Sequence, residues 1–512
     1  MKKILILLLS ATCFFSCVED EGNYTYTDIN QVKIEGLEES YNVLNGLDVI
    51  QIQPKITGSV LGDNLEHYEY QWHIHEGIGE HIHTVISNEK DLNYPVNINI
   101  GNYTLYLTVL DKSTGLKTIA GATMKVTTPT SKGFLLLGDD LEEGIMGLDM
   151  VVMPAGRDTT VVENVYDNSE TRFVGADRIL YQGIRYNETQ SLWMCTEDGS
   201  FRMNNIEDIS IISELNDFGM IEISSDFGHK QPMRIMDVFP HPSTTNRSGS
   251  YRGYLTEDVA VLNMIITAEY FAQPCNRLSA TSNNLFKFYP LAFTMSTYYT
   301  GHNCVLLYNM DEERFMKINT YFNASYCTTL PDYATDKFPW DQRDTGRTIV
   351  WGGNSVNGSY GSSYAIMKDR EGKHFLYKFR SGPYSALKED CYEIDLSVAT
   401  NFAEASHYMV SGTNSLLLYA HGSTLYMYDY AYKTLLTRDM GAEITHLDLE
   451  YCSKGSRTEF VVATYSDTEK GVVRKLEVGT DVHKLEIIDR PKEVWKTRLR
   501  VKDVEWKRAY GS

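Results

Sequence analysis

The feature that most constrains the fold is a recurring pair of short apolar segments joined by a polar turn, found from about residue 190 to the end of the chain. The apolar segments are shorter than most helices and are bounded by Gly, Asp and Glu, which is typical of strands in hairpins. Five such segments are residues 191–195, 305–308, 365–367, 416–419 and 460–463. Long helical periodicity is missing between them, so the sequence predicts an all-β fold.

The spacing of these pairs indicates the architecture. Leu192 and Phe460 are 268 residues apart, and with one unrecognised unit between Trp193 and Val305 this gives five steps of about 54 residues. Steps of that length fall in the range of propeller blades. Residues 133–512 are therefore predicted to form a β-propeller of about seven blades, whose closed ring protects the sheet edges. Six or eight blades stay open at this point, as does a pair of stacked β-sandwiches.

The region before the polar stretch at residues 127–133 has a different spacing of apolar residues. Residues 32–34, 49–52, 68–74, 103–109 and 122–126 are short runs rich in β-branched and aromatic residues. Apolar and polar residues alternate in several of them, which places Tyr68, Tyr70, Trp72 and Ile74 on one face of a strand. About seven short strands in about 100 residues are typical of an immunoglobulin-type β-sandwich. We therefore predict such a sandwich over residues 30–128, with Trp72 in its core.

The amino terminus predicts export. Lys2 and Lys3 precede an apolar run at residues 4–9, which is too short to span a bilayer and is typical of a secretory signal. The signal is predicted to cover residues 1–16, because Ser16-Cys17 resembles the cleavage site at which a cysteine is acylated. The alternative is an ordinary secretory signal. Residues 17–29 then form a tether, with an acidic run after Val18 that is typical either of surface export or of a solvated linker.

Net charge and cysteine spacing limit the kinds of partner and metal site that this chain is expected to have. Loss of Lys2 and Lys3 changes the formal net charge from −21 to −23. A chain this acidic is a poor binder of nucleic acid or anionic membranes, so the lipid at Cys17 is the expected membrane contact. The six cysteines after Cys17 are scattered without a C-x-x-C pair, which gives no support to a metal cluster or a redox site. Burial as small apolar side chains is their expected state, and disulfide pairing of some of them in an oxidising compartment is the alternative.

The amino-terminal region resembles a known family. Gly22-Asn23-Tyr24-Thr25-Tyr26 follows the predicted acylated cysteine, and the runs at residues 70–72 and 103–111 are similar to strands of PKD domains. Over residues 17–128 the chain resembles the PKD-like lipoproteins of Bacteroidota, although residues 75–79 replace the usual Gly-Asp-Gly turn. The resemblance implies an outer-membrane lipoprotein facing the cell surface, encoded with SusC/SusD-type importers that take up glycans or peptides.

Histidines cluster in one predicted hairpin. Four of them flank the turn at residues 76–80, namely His73, His75, His81 and His83. If Ile74 and Ile82 point to the core, all four histidines share the outer face, where neutral imidazoles are suited to zinc or copper. The alternatives are an exposed polar face without a ligand, or a register shifted by one residue that scatters the histidines.

Other candidate sites lie in the second region. Aromatic side chains suited to stacking on sugars or holding peptides cluster at residues 298–299, 338–340 and 360–364, although most strand aromatics belong to cores. A loop around Trp340 carries four carboxylates that suggest a calcium site, a carboxylate pair or a solvated loop: Asp332, Asp336, Asp341 and Asp344. The glycines of residues 352–354 and 358–361 lack the strand-then-helix setting of phosphate binding, so both are predicted to be turns.

Catalytic signatures are missing from the sequence. It contains no G-x-S-x-G, H-E-x-x-H or P-loop motif, so catalytic residues, cofactors and metal ligands are not assigned. The leading hypothesis is a non-catalytic accessory or nutrient-binding component of a SusC/SusD-type importer. The second hypothesis is a surface glycosidase, lyase or peptidase that uses carboxylates in the propeller funnel. A scaffold without a ligand of its own is the third, and the sequence does not name the ligand or the oligomeric state.

Overall fold

The structure is a computed structural model, and it divides the chain into two compact units between Thr127 and Thr128. It describes residues 28–76, 83–153, 158–166, 172–182, 191–204, 209, 211–214, 234–239, 251–264, 273–294, 304–318, 326–355, 361–381, 385–411, 414–449, 458–481 and 484–507. The described residues form strands and three short 3-10 turns, without an α-helix. The predicted all-β fold is therefore confirmed. In this part of the chain there is also no helix long and apolar enough to cross a membrane.

The described residues of unit 1 form nine strands in three sheets. They are β1 (Val32–Glu35), β2 (Ser40–Leu44), β3 (Val49–Ile52), β4 (Lys55–Gly58), β5 (Tyr68–Glu76), β6 (His83–Ser87), β7 (Leu92–Pro95), β8 (Gly101–Asp111) and β9 (Lys117–Thr127). The main sheet has the order β2-β9-β8-β5-β6, with β2 parallel to β9 and the other pairs antiparallel. Two small sheets, β1-β4 and β3-β7, complete the unit.

The core of unit 1 follows from the alternation in β5 and β8. Tyr68, Trp72 and Ile74 are buried on one face of β5, and Tyr70 is partly buried against the same core. Trp72 is fully buried, and its indole N–H donates to the carbonyl of Lys90 at 3.2 Å. The prediction for this strand and for Trp72 is confirmed. The immunoglobulin-type sandwich itself stays a prediction.

Unit 2 contains seven antiparallel sheets among its described residues. The strands of the first two are β10 (Gly133–Asp140), β11 (Ile145–Val152), β12 (Thr160–Val162), β13 (Ala176–Gln182), β14 (Ser191–Thr196), β15 (Gly199–Met203) and β16 (Ile211–Glu214). The next two sheets consist of β17 (Ile235–Phe239), β18 (Tyr251–Thr256), β19 (Ala260–Met264), β20 (Val305–Asn309), β21 (Arg314–Ile318) and β22 (Cys327–Thr329).

The remaining sheets have four strands each. They are formed by β23 (Thr348–Ser355), β24 (Ser362–Lys368), β25 (His374–Ser381), β26 (Ala386–Glu393), β27 (His407–Val410), β28 (Leu416–His421), β29 (Thr424–Asp429), β30 (Thr434–Asp439), β31 (Glu443–Leu449), β32 (Glu459–Ser466), β33 (Lys470–Val478) and β34 (Ile487–Thr497). Within each sheet the strands follow chain order, as in a meander. Four of the five predicted apolar segments lie in the second strand of a sheet, and residues 305–308 lie in β20, the first described strand of its sheet. The unit that the spacing left unrecognised is the sheet β17-β18-β19.

The last strand closes a ring. β35 (Arg500–Lys507) pairs with β10, so the first sheet has the order β12-β11-β10-β35 and joins the two ends of unit 2. β35 also contacts β13 and β31, the innermost strands of the sheets on either side. Apolar side chains pack between neighbouring sheets, for example Phe134 of β10 against Trp495 of β34. Unit 2 is thus β-propeller-like, while the number of blades stays a prediction.

Candidate functional site

A funnel lies at the centre of unit 2, where the innermost segments of the sheets meet. These segments are β13, β17, residues 288–294, β23, β27, β31 and β35. Hydrogen bonds join neighbours where strands do not contact directly: the Ala292 N–H donates to Asp237 Oδ2 at 2.7 Å, and the Asn354 side-chain amide donates to the Ala292 carbonyl at 2.9 Å. The funnel encloses a cavity of about 460 Å³. That volume lies in the range of small-ligand sites.

Two glycines shape one wall of the funnel. Gly352 and Gly353 lie in β23, so the prediction of a turn at residues 352–354 is wrong. A Cβ at Gly352 would lie 2.7 Å from the Phe293 ring, and one at Gly353 would lie 2.4 Å from the Trp351 ring. Glycine is required here because two aromatic rings pack directly over the strand backbone. The second glycine stretch, at 358–361, lies outside the described residues except for Gly361, which has a positive φ of 70°.

Most carboxylates of the funnel hold the ring together. Asp237 is buried, and besides the Ala292 N–H it accepts the Val238 N–H at 2.8 Å. Asp177 pairs with Arg178, whose Nε and Nη2 each lie 3.1 Å from its oxygens. Because these carboxylates are already paired, their charge stabilises the scaffold more than it prepares a reaction.

Asp503 and Asp448 are the two funnel carboxylates with raised pKa values. Asp503 in β35 accepts the Ile179 N–H at 2.7 Å and the Val504 N–H at 2.9 Å, which links β35 to β13. Burial raises its pKa to about 6. Asp448 in β31 has an exposed side chain, yet desolvation by the surrounding walls, followed by the charge of Asp503, raises its pKa to about 7. Enclosure and like charge both favour the neutral carboxyl form.

Two histidines next to these carboxylates are held neutral. Burial, followed by the neighbouring His446, lowers the pKa of His407 to about 4. Burial also lowers the pKa of His446 to about 4, although its Nδ1 lies 3.6 Å from Asp503. Near neutral pH both imidazoles are therefore uncharged, and the funnel contains few positive charges to offset its acidic side chains.

The aromatic wall of the funnel includes Trp351 and Tyr408, which the sequence did not single out. Trp351 in β23 is half-buried, and its ring centroid lies 6.2 Å from that of Tyr408 in β27. Both line the cavity, as does Tyr364, which was part of a predicted aromatic cluster but is 1 % exposed. Trp351 therefore offers the most accessible aromatic surface to a ligand in this wall.

The other predicted aromatic clusters do not form sites in the described residues. Phe338 and Trp340 are buried in a core with Phe379, their rings packed edge to face at 5.3 Å. Residues 298–299 and Tyr360 lie outside the described residues. The accessible-aromatic interpretation is thus wrong for residues 338–340.

The acidic loop around Trp340 is an ion-pair network. Asp332 and Asp336 both pair with Lys388, whose side chain is 6 % exposed and lies over the Trp340 ring at 5.2 Å. Asp341 pairs with Arg343 and lies 3.6 Å from Arg314. Three of the four carboxylates are neutralised by basic side chains, so the loop does not resemble a calcium site, whose carboxylates face the ion.

The predicted histidine face is present in part. His75 of β5 is directly opposite His83 of β6, and their ring centroids are 5.0 Å apart. His73 lies on the same face, 6.1 Å from His83, and its Nε2 is 2.7 Å from the Thr108 hydroxyl. His81 lies outside the described residues. In the described part of the chain, no three His, Cys, Asp or Glu side chains converge as metal ligands do, and metal binding stays a hypothesis.

The cysteines behave as small apolar residues where they are described. Cys195, Cys275, Cys304 and Cys327 are buried and free, and Cys391 is free and partly buried. Burial raises the pKa of the first three thiols to about 12. The predicted lipid site at Cys17 and the tether up to residue 27 lie outside the described residues.

The match to a protein family concerns the amino-terminal region. Residues 17–175 match the PKD-like family. The PKD-like match extends past the predicted limit at residue 128 and includes β10, β11 and β12 of unit 2. No curated protein matches the chain.

Solved structures resemble the chain only distantly. A quinonprotein alcohol dehydrogenase-like protein from Bacteroides thetaiotaomicron shares 12 % identity, with 91 % of this chain and 98 % of that chain covered and a TM-score of 0.38. A proposed 6-phosphogluconolactonase from Bacteroides fragilis shares 10 %, with 74 % and 99 % covered and a TM-score of 0.40. The WD40 domain of SCAP from fission yeast shares 9 %, with 68 % and 63 % covered and a TM-score of 0.24. TM-scores below 0.5 do not establish a shared fold, so these similarities assign neither fold nor activity.

Proposed function

We propose that this protein is a lipid-anchored binding protein on the outer face of the outer membrane, serving as an accessory or nutrient-binding component of a SusC/SusD-type importer for glycans or peptides. The observation that carries the proposal is the funnel cavity of about 460 Å³ with the Trp351 face on its wall. The PKD-like match over residues 17–175 and the leader that ends at Ser16-Cys17 support the location and the partner.

The chemistry of the funnel favours binding over catalysis. Asp237 and Asp503 accept backbone N–H groups, and Asp177 pairs with Arg178, so three carboxylates are committed to the scaffold. A general acid or base needs access to a reacting proton, which the paired oxygens of Asp177 and Asp237 lack. An aromatic ring and a few polar groups in a preformed cavity are instead typical of a binding site.

The anchor is tested by metabolic labelling with an alkyne-bearing palmitate. We expect label in the wild type and in Cys13→Ala, and none in Cys17→Ala, because the acyl group is attached to the cysteine that follows the cleavage site. Digestion of intact cells with proteinase K should remove the protein, which places it on the outer face. Label retained in Cys17→Ala, or protection in intact cells, would contradict the proposed location.

The partner is tested by purification from outer membranes through a tag after Ser512. We expect a SusC/SusD-type pair to co-purify in near-equal amounts. If the PKD-like region carries the contact, the pair should be lost when a shortened protein of residues 128–512 is anchored in place of the full chain. Recovery of the protein alone after mild solubilisation would refute a stable complex.

The binding role of the funnel is tested by titration calorimetry with the glycans or peptides that the co-purified importer takes up. Trp351→Ala should weaken binding about ten-fold or more, since aromatic contacts of this kind carry much of the affinity of small sites. Tyr432→Ala, at an exposed turn between β29 and β30, is the matched control. Equal affinity of Trp351→Ala and wild type would exclude the funnel as the binding site.

One observation favours an enzyme as the second candidate. Asp448 and Asp503 line the same cavity, and the pKa of each is raised into the range that suits acid–base chemistry at neutral pH. A surface glycosidase, lyase or peptidase would lose activity in both Asp448→Asn and Asp503→Asn, without loss of the folded state. Turnover of a glycan or peptide by the wild type that both variants abolish would replace the binding proposal.

A further inference from the structure

The charges of the funnel are unevenly compensated. Its wall contains the acidic side chains Asp177, Asp237, Asp448, Asp503 and Glu505 against the basic side chains Arg178 and Lys502. Arg178 is committed, because it pairs with Asp177 and its Nη1 donates to the Met236 carbonyl at 2.6 Å. A cleft walled by protein and lined with an excess of one charge attracts ligands of the opposite charge.

Asp448 is the carboxylate left to meet such a ligand. It accepts the N–H of the adjacent Leu449 at 2.6 Å, and it forms no ion pair with a described residue. Lys502 acts instead on His407, whose pKa it helps to lower after burial and His446. Desolvation by the funnel walls, followed by the charge of Asp503, raises the pKa of Asp448 to about 7, and a cation bound against this carboxylate would favour its ionised form.

Two buried hydroxyls on the cavity wall give an independent sign of a polar ligand. Thr294 is 2 % exposed and Ser355 is 4 % exposed, and both line the cavity. The Oγ atoms of both are buried without a hydrogen-bond partner in the described structure. Buried hydroxyls without partners are uncommon in native proteins, because each loses its bonds to water. They indicate that a polar group completes this wall.

We propose that the funnel binds a small polar ligand through a primary ammonium group, which pairs with the carboxylate of Asp448. The inference rests on the proposed binding function and names the chemistry that the funnel selects. An ammonium donates up to three hydrogen bonds, so it can bridge Asp448 and further acceptors in the wall. A charge-assisted bond in an enclosed site is worth about ten- to hundred-fold in affinity.

Two sources supply this chemistry, an amino sugar or a basic peptide, and matched probes separate them. The first pair is the glucosamine trimer and the N-acetylglucosamine trimer. The second pair is trilysine and fully N-acetylated trilysine. Within each pair the acetyl group removes the positive charge while most of the size and polarity is retained.

Calorimetric titration of the full chain with the four probes tests the inference. We expect at least ten-fold tighter binding of the charged member in one pair, and that pair identifies the source. Asp448→Asn should abolish this preference, whereas Asp344→Asn, which removes the same charge from an exposed loop, should keep it. Thermal unfolding of both variants checks that they are folded.

The outcomes are distinguishable from failure of the proposed function. Equal affinity for charged and acetylated probes, or no measurable binding of either charged probe, overturns the ammonium inference. So does a preference that Asp448→Asn leaves intact. Binding of an acetylated probe that is as tight as that of its charged partner and depends on Trp351 would retain the binding funnel while refuting the ammonium contact. Recovery of the protein without an importer would refute the partner, whatever the probes show.

Discussion

Replacement of Trp506 by alanine should loosen the closure of the ring. Trp506 lies in β35 directly opposite Phe134 of β10, with ring centroids 4.8 Å apart, and it is 7 % exposed. A buried tryptophan removes about 200 Å² from water, which at about 25 cal/mol/Å² gives about 5 kcal/mol as an upper value. Measured Trp→Ala losses in cores are about 3–5 kcal/mol. We expect the free energy of unfolding of unit 2 to fall by that amount.

The assay must report on each unit separately, because a chain with two compact units need not unfold in one transition. Hydrogen-exchange mass spectrometry across a urea series does so. Peptides from β10 and β32 follow unit 2, and peptides from β8 follow unit 1 and serve as the internal control. Trp506→Phe keeps an aromatic ring against Phe134 and should lose less than half as much stability as Trp506→Ala.

A free energy of unfolding of unit 2 in Trp506→Ala within about 0.5 kcal/mol of the wild-type value, the usual range for surface substitutions, would refute this expectation. That result would mean that β35 does not hold the ring closed. An equal shift in peptides of both units would also contradict it, because Trp506 belongs to a core made only of unit 2 residues.

Three further predictions follow from buried groups. The pKa of His446 is about 4 in the folded protein and 6.5 in the unfolded chain, so the unfolded chain binds the proton first as the pH drops. Between pH 6.5 and pH 4 this lowers the free energy of unfolding by up to about 3 kcal/mol. His446→Gln should reduce that acid slope in urea titrations at stepped pH without abolishing it, because His407, whose folded pKa is also about 4, still contributes in the same direction; an unchanged slope would refute the assignment. Gly138→Ala should cost about 1–3 kcal/mol, because its Cβ would lie 2.5 Å from the Arg500 carbonyl oxygen across the β10-β35 pair, and an unchanged urea midpoint would refute the tight contact. Among the five described cysteines, Cys391 should react first with a thiol reagent under native conditions, as peptide mapping would show; faster labelling of a buried cysteine would contradict the packing.

Local sequence patterns predicted the strands well because successive side chains along a strand point to opposite faces of the sheet, which gives a period of two. The alternation around Trp72 gave the buried face of β5, and the same count placed His73, His75 and His83 together on the outer face. Hairpin pairs such as residues 305–308 were found since each ends in a turn with Asp, Gly or Glu. The β17-β18-β19 sheet was anticipated only as a gap in the spacing, although Glu257 and Asp258 mark the turn between β18 and β19.

The funnel was beyond the reach of sequence patterns for a geometric reason. Asp448 and Asp503 are 55 residues apart, and they share a cavity only because β31 and β35 are neighbours in a closed ring. Gly352 and Gly353 were interpreted as a turn, since the sequence does not show the aromatic rings that pack over them. The carboxylates of the Trp340 loop were similarly ambiguous, because their partner Lys388 is far along the chain.

The pairing of β10 with β35 bears on how the protein is made. Gly133 at the start of unit 2 is opposite Lys507 near its end, so the first sheet receives its innermost strand last. A chain that folds in the order of its sequence can complete the other six described sheets of unit 2 while the inner edge of β10 is still unpaired. Unpaired edges are sites of misassociation and proteolysis. The arrival of residues 500–507 is therefore the step that pairs this edge, and products truncated before it would carry an open edge exposed to misassociation and proteolysis.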